Sequence, residues 1–404
     1  MLSVLTRNRD FRRLYFAQLI VFGADWFVMV PLLVLLNKLT GMGFWGGLAL
    51  AVDTGVVAIL LPYAGTIADR FDRKKILITS NLAALAAIGG LFAVQGKAAG
   101  PIALAAIGAL ATAKAFYSPA ASSAIPNVVD REDLASAMAV SGTTWGTMAI
   151  IASSLGGILT SWLSAYFCFG LVGVGLAGAA TLTLRVHRPL QETVATAKRP
   201  AFAAIGEALR YLRGEPKLMA LVTVKSAVGL GNGVLTAFPI VATAFGVGAR
   251  GLGFMFATRG LGALIGPLLF RRVLNRPSWL LPGLALSMSA YGLAYIGVSM
   301  MTWFPLVLIG IFLAHLAGGG NWVMSGFAIQ QIVPDDLRGR VNATDTMIVM
   351  LAITVSQVIV GLFVDTIPAS VLIACCGATT LTYAIGWRLV TRRFGDPKPA
   401  LANA

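Results

Sequence analysis

Seven ionisable side chains of this 404-residue chain stand inside long apolar runs, where charge is costly and usually functional. The acids are Asp25, Asp53 and Asp345, the bases are Lys114, Lys225 and Arg259, and His315 is the seventh group. Three acids balance three bases. This balance predicts that the charges pair inside a bundle of helices rather than facing lipid.

Asp25 is the first candidate for binding and releasing a proton. It lies roughly 16 Å into its apolar run at 1.5 Å per residue, near the middle of a bilayer. The alternative is a structural carboxylate bonded to a neighbouring helix. Asp53 could hold a proton, bind a cationic substrate, or be a solvated acid facing a pore. His315 could relay protons or be a packed, hydrogen-bonded side chain.

Arg259 stays charged and therefore cannot carry the proton itself. It could bind an acidic substrate such as a catecholate, carboxylate or phosphate, or it could pair with Asp25 or Asp53. Lys114 and Lys225 lie nearer the inner ends of their runs, where each could extend to the membrane surface. Further candidates for lining a substrate site are neutral: Trp26, Asn232, Asn321, Trp322 and Gln357.

The elements that must position these side chains are membrane helices. The hydrophobic fraction is 57%, the charged fraction 12% and the mean hydropathy +0.83, values typical of a polytopic helical membrane protein. Twelve spans are predicted, at 14–36, 44–64, 76–94, 101–117, 136–159, 164–184, 217–245, 252–270, 280–298, 303–329, 341–364 and 370–389. Gly318, Gly319 and Gly320 inside the tenth predict a hinge or a close helix contact.

Charge predicts the orientation. An even number of spans places both termini on one side, and most of the Lys and Arg lie on that side, which indicates the cytoplasm. The net charge of +15 fits this bias and an attraction to anionic lipid. The sequence has no basic patch with interleaved aromatic residues, so nucleic acid is not an expected partner. Cys168, Cys375 and Cys376 lie in apolar runs, so we expect neither a metal site nor a cofactor.

A dense charged stretch at residues 65–75 separates the second and third spans, and we expect a short turn there. Gly65 would let a neighbouring helix come close. The stretch resembles the signature loop of the major facilitator superfamily, Gly-x-Leu-Ala-Asp-Arg-x-Gly-Arg-Lys, with Ile67 for the Leu and Asp72 for the second Gly. By that resemblance, a cytoplasmic gate forms from Gly65, Asp69, Arg70, Arg73, Arg340 and Asp345, with Asp69, Arg73 and Arg340 as its latch.

The two halves of the chain resemble each other. Asp133-Leu134 matches Asp336-Leu337, and Gly23 and Pro31 match Gly231 and Pro239, each about half the chain length apart. We therefore predict an all-α fold of two pseudo-symmetric six-helix bundles, at 1–184 and 217–404, with the substrate site between them. The linker at 185–216 carries apolar residues spaced three and four apart, which predicts an amphipathic helix on the inner leaflet or a partner-binding helix.

Several segments narrow the resemblance to the branch with macrolide-type drug exporters and enterobactin-type siderophore exporters. These are residues 11–14, 24–27, 39–41, 115–120 and 337–340. The branch implies export of an amphipathic small molecule by alternating access, coupled to protons, across a bacterial inner membrane. Lysophospholipid transporters share the Tyr-Ser-Pro segment, so a lipid transporter or flippase is the alternative. Ser153-Ser154 stand where many such antiporters have Gly-Pro. With only two histidines, an enzyme is not expected.

Overall fold

The computed structural model describes residues 3–191, 201–274 and 277–394, without the side chains of 201–204, 271–274, 277 and 335–336. Twelve helices in these ranges are long and apolar enough to cross a membrane, as predicted. They are α1 (Arg9–Thr40), α2 (Gly43–Arg70), α3 (Arg73–Leu91), α4 (Gly96–Val128), α5 (Arg131–Trp162), α6 (Ala165–Leu184), α7 (Pro216–Ala244), α8 (Gly248–Phe270), α9 (Leu280–Ser299), α10 (Phe304–Ile332), α11 (Leu337–Phe363) and α12 (Ala369–Thr391). A short helix, Ser3–Arg7, precedes them, and a linker helix, Ala201–Gly214, joins α6 to α7.

The two halves use the same helix pairs, which confirms two six-helix bundles. In the first half α1 packs on α5 and α6, α2 packs on α4, and α3 packs on α4 and α6. In the second half α7 packs on α11 and α12, α8 on α10, and α9 on α10 and α12. Each helix thus has a counterpart six helices later with the same neighbours, as a duplicated unit requires.

The charged stretch at 65–75 contains the short turn that we expected, but most of the stretch is helical. Helix α2 continues to Arg70, and only Phe71 and Asp72 separate it from α3. The Asp72 side chain accepts a hydrogen bond from the Lys75 N–H at 3.1 Å and caps α3. Polar residues can extend a membrane helix into water because the helix satisfies its own backbone groups there.

Helix α7 is divided into three segments, Pro216–Thr223, Lys225–Gly231 and Val234–Ala244. The backbone N–H of Gly233 at the second break donates to Ser356 Oγ of α11 at 3.0 Å. A Cβ at Gly233 would lie 2.7 Å from the Ser356 carbonyl oxygen, so only glycine permits this approach. The breaks therefore bring the α7 backbone into contact with α11.

The halves meet along two helix pairs, α2 with α11 and α5 with α8. Around Gly253 the α5–α8 contact is between backbones, since a Cβ there would lie 2.6 Å from the carbonyl oxygen of Ser153. An apolar cluster joins the halves beside it, with Met29 and Leu33 of α1 in the same cluster as Phe256 of α8. The candidate site lies against this interface.

The linker helix packs on protein, not on lipid. Ala208 and Leu212 of its apolar face are fully buried, in a cluster with Leu218 and Val222 of α7 and with residues of α9, α10 and α12. The prediction of an amphipathic helix is correct, but its apolar face does not lie on the leaflet. Its apolar stripe instead completes the core of the second bundle, where burial stabilises it.

The three glycines of α10 form a close contact, and the helix continues through them. A Cβ at Gly319 would lie 2.6 Å from the carbonyl oxygen of Ala263 in α8. Of the two predicted roles, the structure therefore favours close packing over a hinge.

Candidate functional site

Three charged side chains of the first bundle form one buried cluster, which we call the charge triad: Asp25 of α1, Asp53 of α2 and Lys114 of α4. Lys114 Nζ lies 2.9 Å from Asp25 Oδ1 and 2.7 Å from Asp53 Oδ1. Each of the three side chains is 16% exposed. The prediction that Lys114 extends to the membrane surface is wrong, because two carboxylates hold its ammonium group inside the bundle.

The triad carries one more negative than positive charge when all three groups are ionised. If one of the two carboxylates binds a proton, the other still pairs with the ammonium group, and the triad as a whole is neutral. This arrangement suits reversible protonation, which we predicted for Asp25 and Asp53, and it adds Lys114 as the cation that holds both acids together.

Arg259 of α8 reaches across the interface to two tryptophans of the first bundle. Its guanidinium carbon lies 5.1 Å from the ring centroid of Trp26 and 5.6 Å from that of Trp145. The two rings meet edge to face, with centroids 5.5 Å apart. The predicted pairing of Arg259 with Asp25 or Asp53 is therefore wrong, since Lys114 takes both acids and Arg259 faces aromatic rings.

The Arg259 Nε and Nη1 atoms are buried, and neither has a hydrogen-bond partner among the described residues. The Trp26 Nε1 atom is likewise buried and has no hydrogen-bond partner among the described residues. Buried donors without partners are rare, and at a cationic side chain they are suited to an anion. Trp145 was not predicted; its only sequence signal is a large aromatic residue near Gly142 and Gly146.

Behind Arg259, on the side of the second bundle, His315 contacts two tyrosines. Tyr295 Oη and His315 Nε2 are 2.8 Å apart, and the Tyr291 ring centroid lies 5.4 Å from the imidazole. All three side chains are buried, and Tyr291 Oη has no partner in the described part of the chain. The proton relay at His315 stays a prediction, and its packed, hydrogen-bonded alternative matches the observed contacts.

Of the remaining neutral candidates, three make hydrogen bonds within the protein and one, Trp322, is partly exposed. Asn321 donates to Ser287 Oγ at 3.1 Å, and Gln357 Oε1 accepts from Thr54 Oγ1 at 2.7 Å, joining the two halves. Asn232 donates to a carbonyl of its own helix. Trp322 is 40% exposed. The structure thus brings Trp26 and Arg259 together and leaves the other four candidates apart from them.

A second buried ion pair joins Lys225 of α7 to Asp345 of α11. Their side chains are 4% and 6% exposed, and Asp345 Oδ1 has no partner among the described residues. Lys225 Nζ also lies 5.3 Å from the Trp322 ring centroid. In this conformation Asp345 therefore pairs with Lys225 and does not contact Asp69, and the prediction that Lys225 extends to the surface is wrong.

The predicted latch between Asp69, Arg73 and Arg340 is not formed in this conformation. Arg73 lies 3.7 Å from Asp69 within the first bundle, and its guanidinium donates to the Ser123 carbonyl at 2.7 Å. Arg340 instead lies 3.0 Å from Glu207 of the linker helix. A Cβ at Gly65 would have no neighbour within 4 Å, so the expected close approach at Gly65 is also not made in this conformation. Arg70 is half-buried at the end of α2.

In the described part of the chain, no three His, Cys, Asp or Glu side chains are grouped so that they could hold a metal ion.

Comparison with known proteins gives consistent matches over most of the chain. A family model described as Major Facilitator Superfamily matches residues 14–279. The enterobactin exporter EntS of Salmonella typhi is 25% identical over 348 residues, which is 84% of this chain and 82% of that protein. EntS of Escherichia coli O1:K1 / APEC is 24% identical over the same shares.

Solved structures share the fold. A mutant of the peptide transporter POT has a TM-score of 0.77 at 12% identity, over 96% of this chain and 95% of that chain. A bacterial homologue of the human lysosomal transporter Spinster, in an inward-facing and unoccupied conformation, has a TM-score of 0.72 at 15% identity. That match covers 95% of this chain and 97% of the other.

Proposed function

The chain belongs to the major facilitator superfamily, and we propose that this multi-pass small-molecule transporter exports an aromatic, amphipathic anion of the siderophore type. The observation that carries the proposal is Arg259, whose buried Nε and Nη1 atoms have no hydrogen-bond partner among the described residues and lie beside the rings of Trp26 and Trp145. A guanidinium binds a carboxylate or catecholate oxygen, and indole rings stack on an aromatic group. The similarity to enterobactin exporters supports the same class of cargo.

The position of Arg259 suits a site that both halves share. The guanidinium belongs to the second bundle and the two tryptophans belong to the first. A ligand bound between them therefore contacts both halves, and its binding energy changes when the halves move apart. Transporters of this architecture place their substrate at such an interface between repeats.

Proton coupling is assigned to the charge triad. Asp25 and Trp26 are consecutive on α1, about 100° apart around the helix, so that one faces Lys114 and the other faces Arg259. Protonation of Asp25 weakens its attraction to Lys114, and any resulting shift of α1 also moves Trp26. Antiport follows if the proton and the anionic substrate favour opposite conformations.

We propose that the transporter works by alternating access and that both termini lie in the cytoplasm. Two features support it: a contact between the halves at the end away from the termini, from the Gly43 N–H to Asp365, and ion pairs at the other end that do not join the bundles directly. The excess of Lys and Arg at the terminus end supports its placement in the cytoplasm of a bacterial inner membrane. We propose that Arg340 exchanges Glu207 for Asp69 when the cavity opens outward.

The decisive experiment measures binding of a catecholate siderophore such as enterobactin to purified protein by calorimetry. Arg259→Gln removes the charge-assisted bonds, worth about 1.5–3 kcal/mol, and should weaken binding roughly 10- to 100-fold. Arg250→Gln is the matched control, because Arg250 is also on α8 and stacks on Trp162, at the outer end of the interface.

Equal binding by both variants would overturn the proposed site. A lysophospholipid, tested in the same way, examines the alternative cargo. Binding of the lysophospholipid without binding of the catecholate would favour a lipid transporter instead.

A further inference from the structure

We propose that a small cavity behind the charge triad is a binding site for one water molecule, which bonds Asn81 of α3 and Tyr117 of α4 and hydrates the triad at Asp25. The cavity lies within the first bundle and is lined by residues of α1, α3, α4 and α6. Among the lining residues are Asp25 and Lys114 of the triad, together with Ser80, Asn81 and Tyr117.

Unpartnered polar atoms mark this cavity. The Asn81 side chain is 1% exposed, and neither Oδ1 nor Nδ2 has a hydrogen-bond partner among the described residues. The Tyr117 side chain is also 1% exposed, and its hydroxyl is unpartnered in the same way. Native proteins almost never leave three such atoms unsatisfied around one space, since each loses its bonds to bulk water on folding.

The size of the cavity matches one water. Its interior accepts the centre of a water-sized sphere over about 10 Å³, which is about the room that one water needs. A water molecule donates two bonds and accepts two. It can therefore accept from the Asn81 amide, donate to the Asn81 carbonyl oxygen and bond the Tyr117 hydroxyl, with one bond left for the triad.

The position of the cavity gives this water a role in coupling, and this part rests on the proposed function. The cavity contacts Asp25 from the side of α3 and α6, whereas Trp26 and Arg259 lie at the interface between the halves. A substrate bound at Arg259 therefore does not displace the water. Asp25 therefore keeps a hydrogen-bond partner for its proton whether or not substrate is bound. The contact between Asn81 and the water thus affects how readily Asp25 takes up a proton.

Radiolytic labelling of the full chain in lipid nanodiscs tests for the water directly. Hydroxyl radicals formed from bound water oxidise adjacent aromatic rings, so Tyr117 should be labelled although it is buried. Exposed Phe71 is the positive reference, and buried Phe169 of the same bundle is the dry reference. Asn81→Leu should reduce Tyr117 labelling to the level of Phe169. Thr183→Val, which removes a buried hydroxyl already bonded to Ala179, should leave it unchanged.

Labelling of Tyr117 no stronger than that of Phe169 in the wild type would overturn the site, as would equal labelling in Asn81→Leu. If Asn81→Leu fails to fold, Tyr117→Phe replaces it: the water loses one of its partners, and labelling of the ring at position 117 should fall to that of Phe169.

Coupling is tested in proteoliposomes that contain a pH-sensitive dye, by counting protons moved per siderophore transported. Asn81→Leu should lower this ratio while siderophore affinity stays unchanged, and Thr183→Val should keep the ratio. An unchanged ratio in Asn81→Leu would limit the water to a structural role and overturn its role in coupling. If the wild type moves no protons, the proposed coupling itself fails, while the labelling still decides the water site.

Discussion

Asp365, just after α11, binds the amino-terminal end of α2 at Gly43. Its Oδ1 accepts from the Gly43 N–H at 2.6 Å and its Oδ2 accepts from the Phe44 N–H at 3.0 Å. The first N–H groups of a helix have no partners within the helix, and the helix dipole favours a negative charge there. One carboxylate of the second bundle thus caps a helix of the first, at the end away from the termini.

Asp365→Ala is expected to loosen this end of the interface. Loss of the cap at an exposed site removes about 1 kcal/mol, which is roughly a fivefold shift between two conformations of similar energy. Spin labels at Met42 and Thr366 should report longer distances in double electron–electron resonance. Asp130→Ala, which removes a carboxylate that pairs with Arg188 of the linker and makes no contact with the second bundle through that pair, is the control. Unchanged distances in Asp365→Ala would show that this cap does not hold the halves together.

Removing Lys114 should be more damaging than removing the whole triad. Lys114→Met leaves two carboxylates buried together, at an expected cost of about 3–5 kcal/mol. The triple variant Lys114→Met, Asp25→Asn, Asp53→Asn has no uncompensated charge and should recover most of that loss. Thermal unfolding in detergent measures both. If the triple variant were as unstable as the single one, packing around Lys114 and not charge would be the cause.

Trp145 should contribute to substrate binding, although no sequence pattern selected it. Trp145→Leu removes a ring that lies beside Arg259 and should weaken siderophore binding by about 1 kcal/mol, or roughly fivefold. Trp145→Phe keeps an aromatic face and should lose less. Trp162→Leu, which removes a ring stacked on Arg250, is the control for the loss of a tryptophan. Calorimetric titration compares the three, and a larger effect at Trp162 would contradict the assignment.

The backbone contact between α5 and α8 predicts that a glycine substitution within it costs more stability than one outside it. Gly253→Ala should destabilise the protein, since its Cβ would lie 2.6 Å from the Ser153 carbonyl oxygen. Gly178→Ala in α6 has no neighbour within 4 Å of the new Cβ, so it should be neutral or gain up to about 1 kcal/mol from helix propensity. Melting temperatures of the two variants decide the point, and equal values would refute the close contact.

The helices could be predicted from sequence because every membrane span requires a continuous run of apolar residues. Twenty apolar residues indicate a helix wherever they occur, and the duplicated segments around Asp133 and Asp336 indicated the repeat. The ends were less certain, as α2 shows by continuing to Arg70, because polar residues can extend a helix beyond the apolar run.

The partners of the charged residues could not be predicted in the same way. The choice between Lys114 and Arg259 as the partner of Asp25 depends on how α1, α4 and α8 are rotated and placed. No local pattern records those rotations. Equal numbers of acids and bases correctly indicated pairing but did not select the pairs. The same reason hid Trp145 and the buried Asn81, whose roles follow only from their neighbours.

The glycine-to-glycine contact between α5 and α8 has a consequence for the speed of the proposed motion. Interdigitated side chains must leave their rotamer wells before two helices can pivot, and each such step adds to the barrier. Where Gly157 and Gly253 meet, there are no side chains to disengage. On this view the pivot offers little resistance, and the rate at which the transporter changes sides is set by breaking the few polar contacts at its two ends.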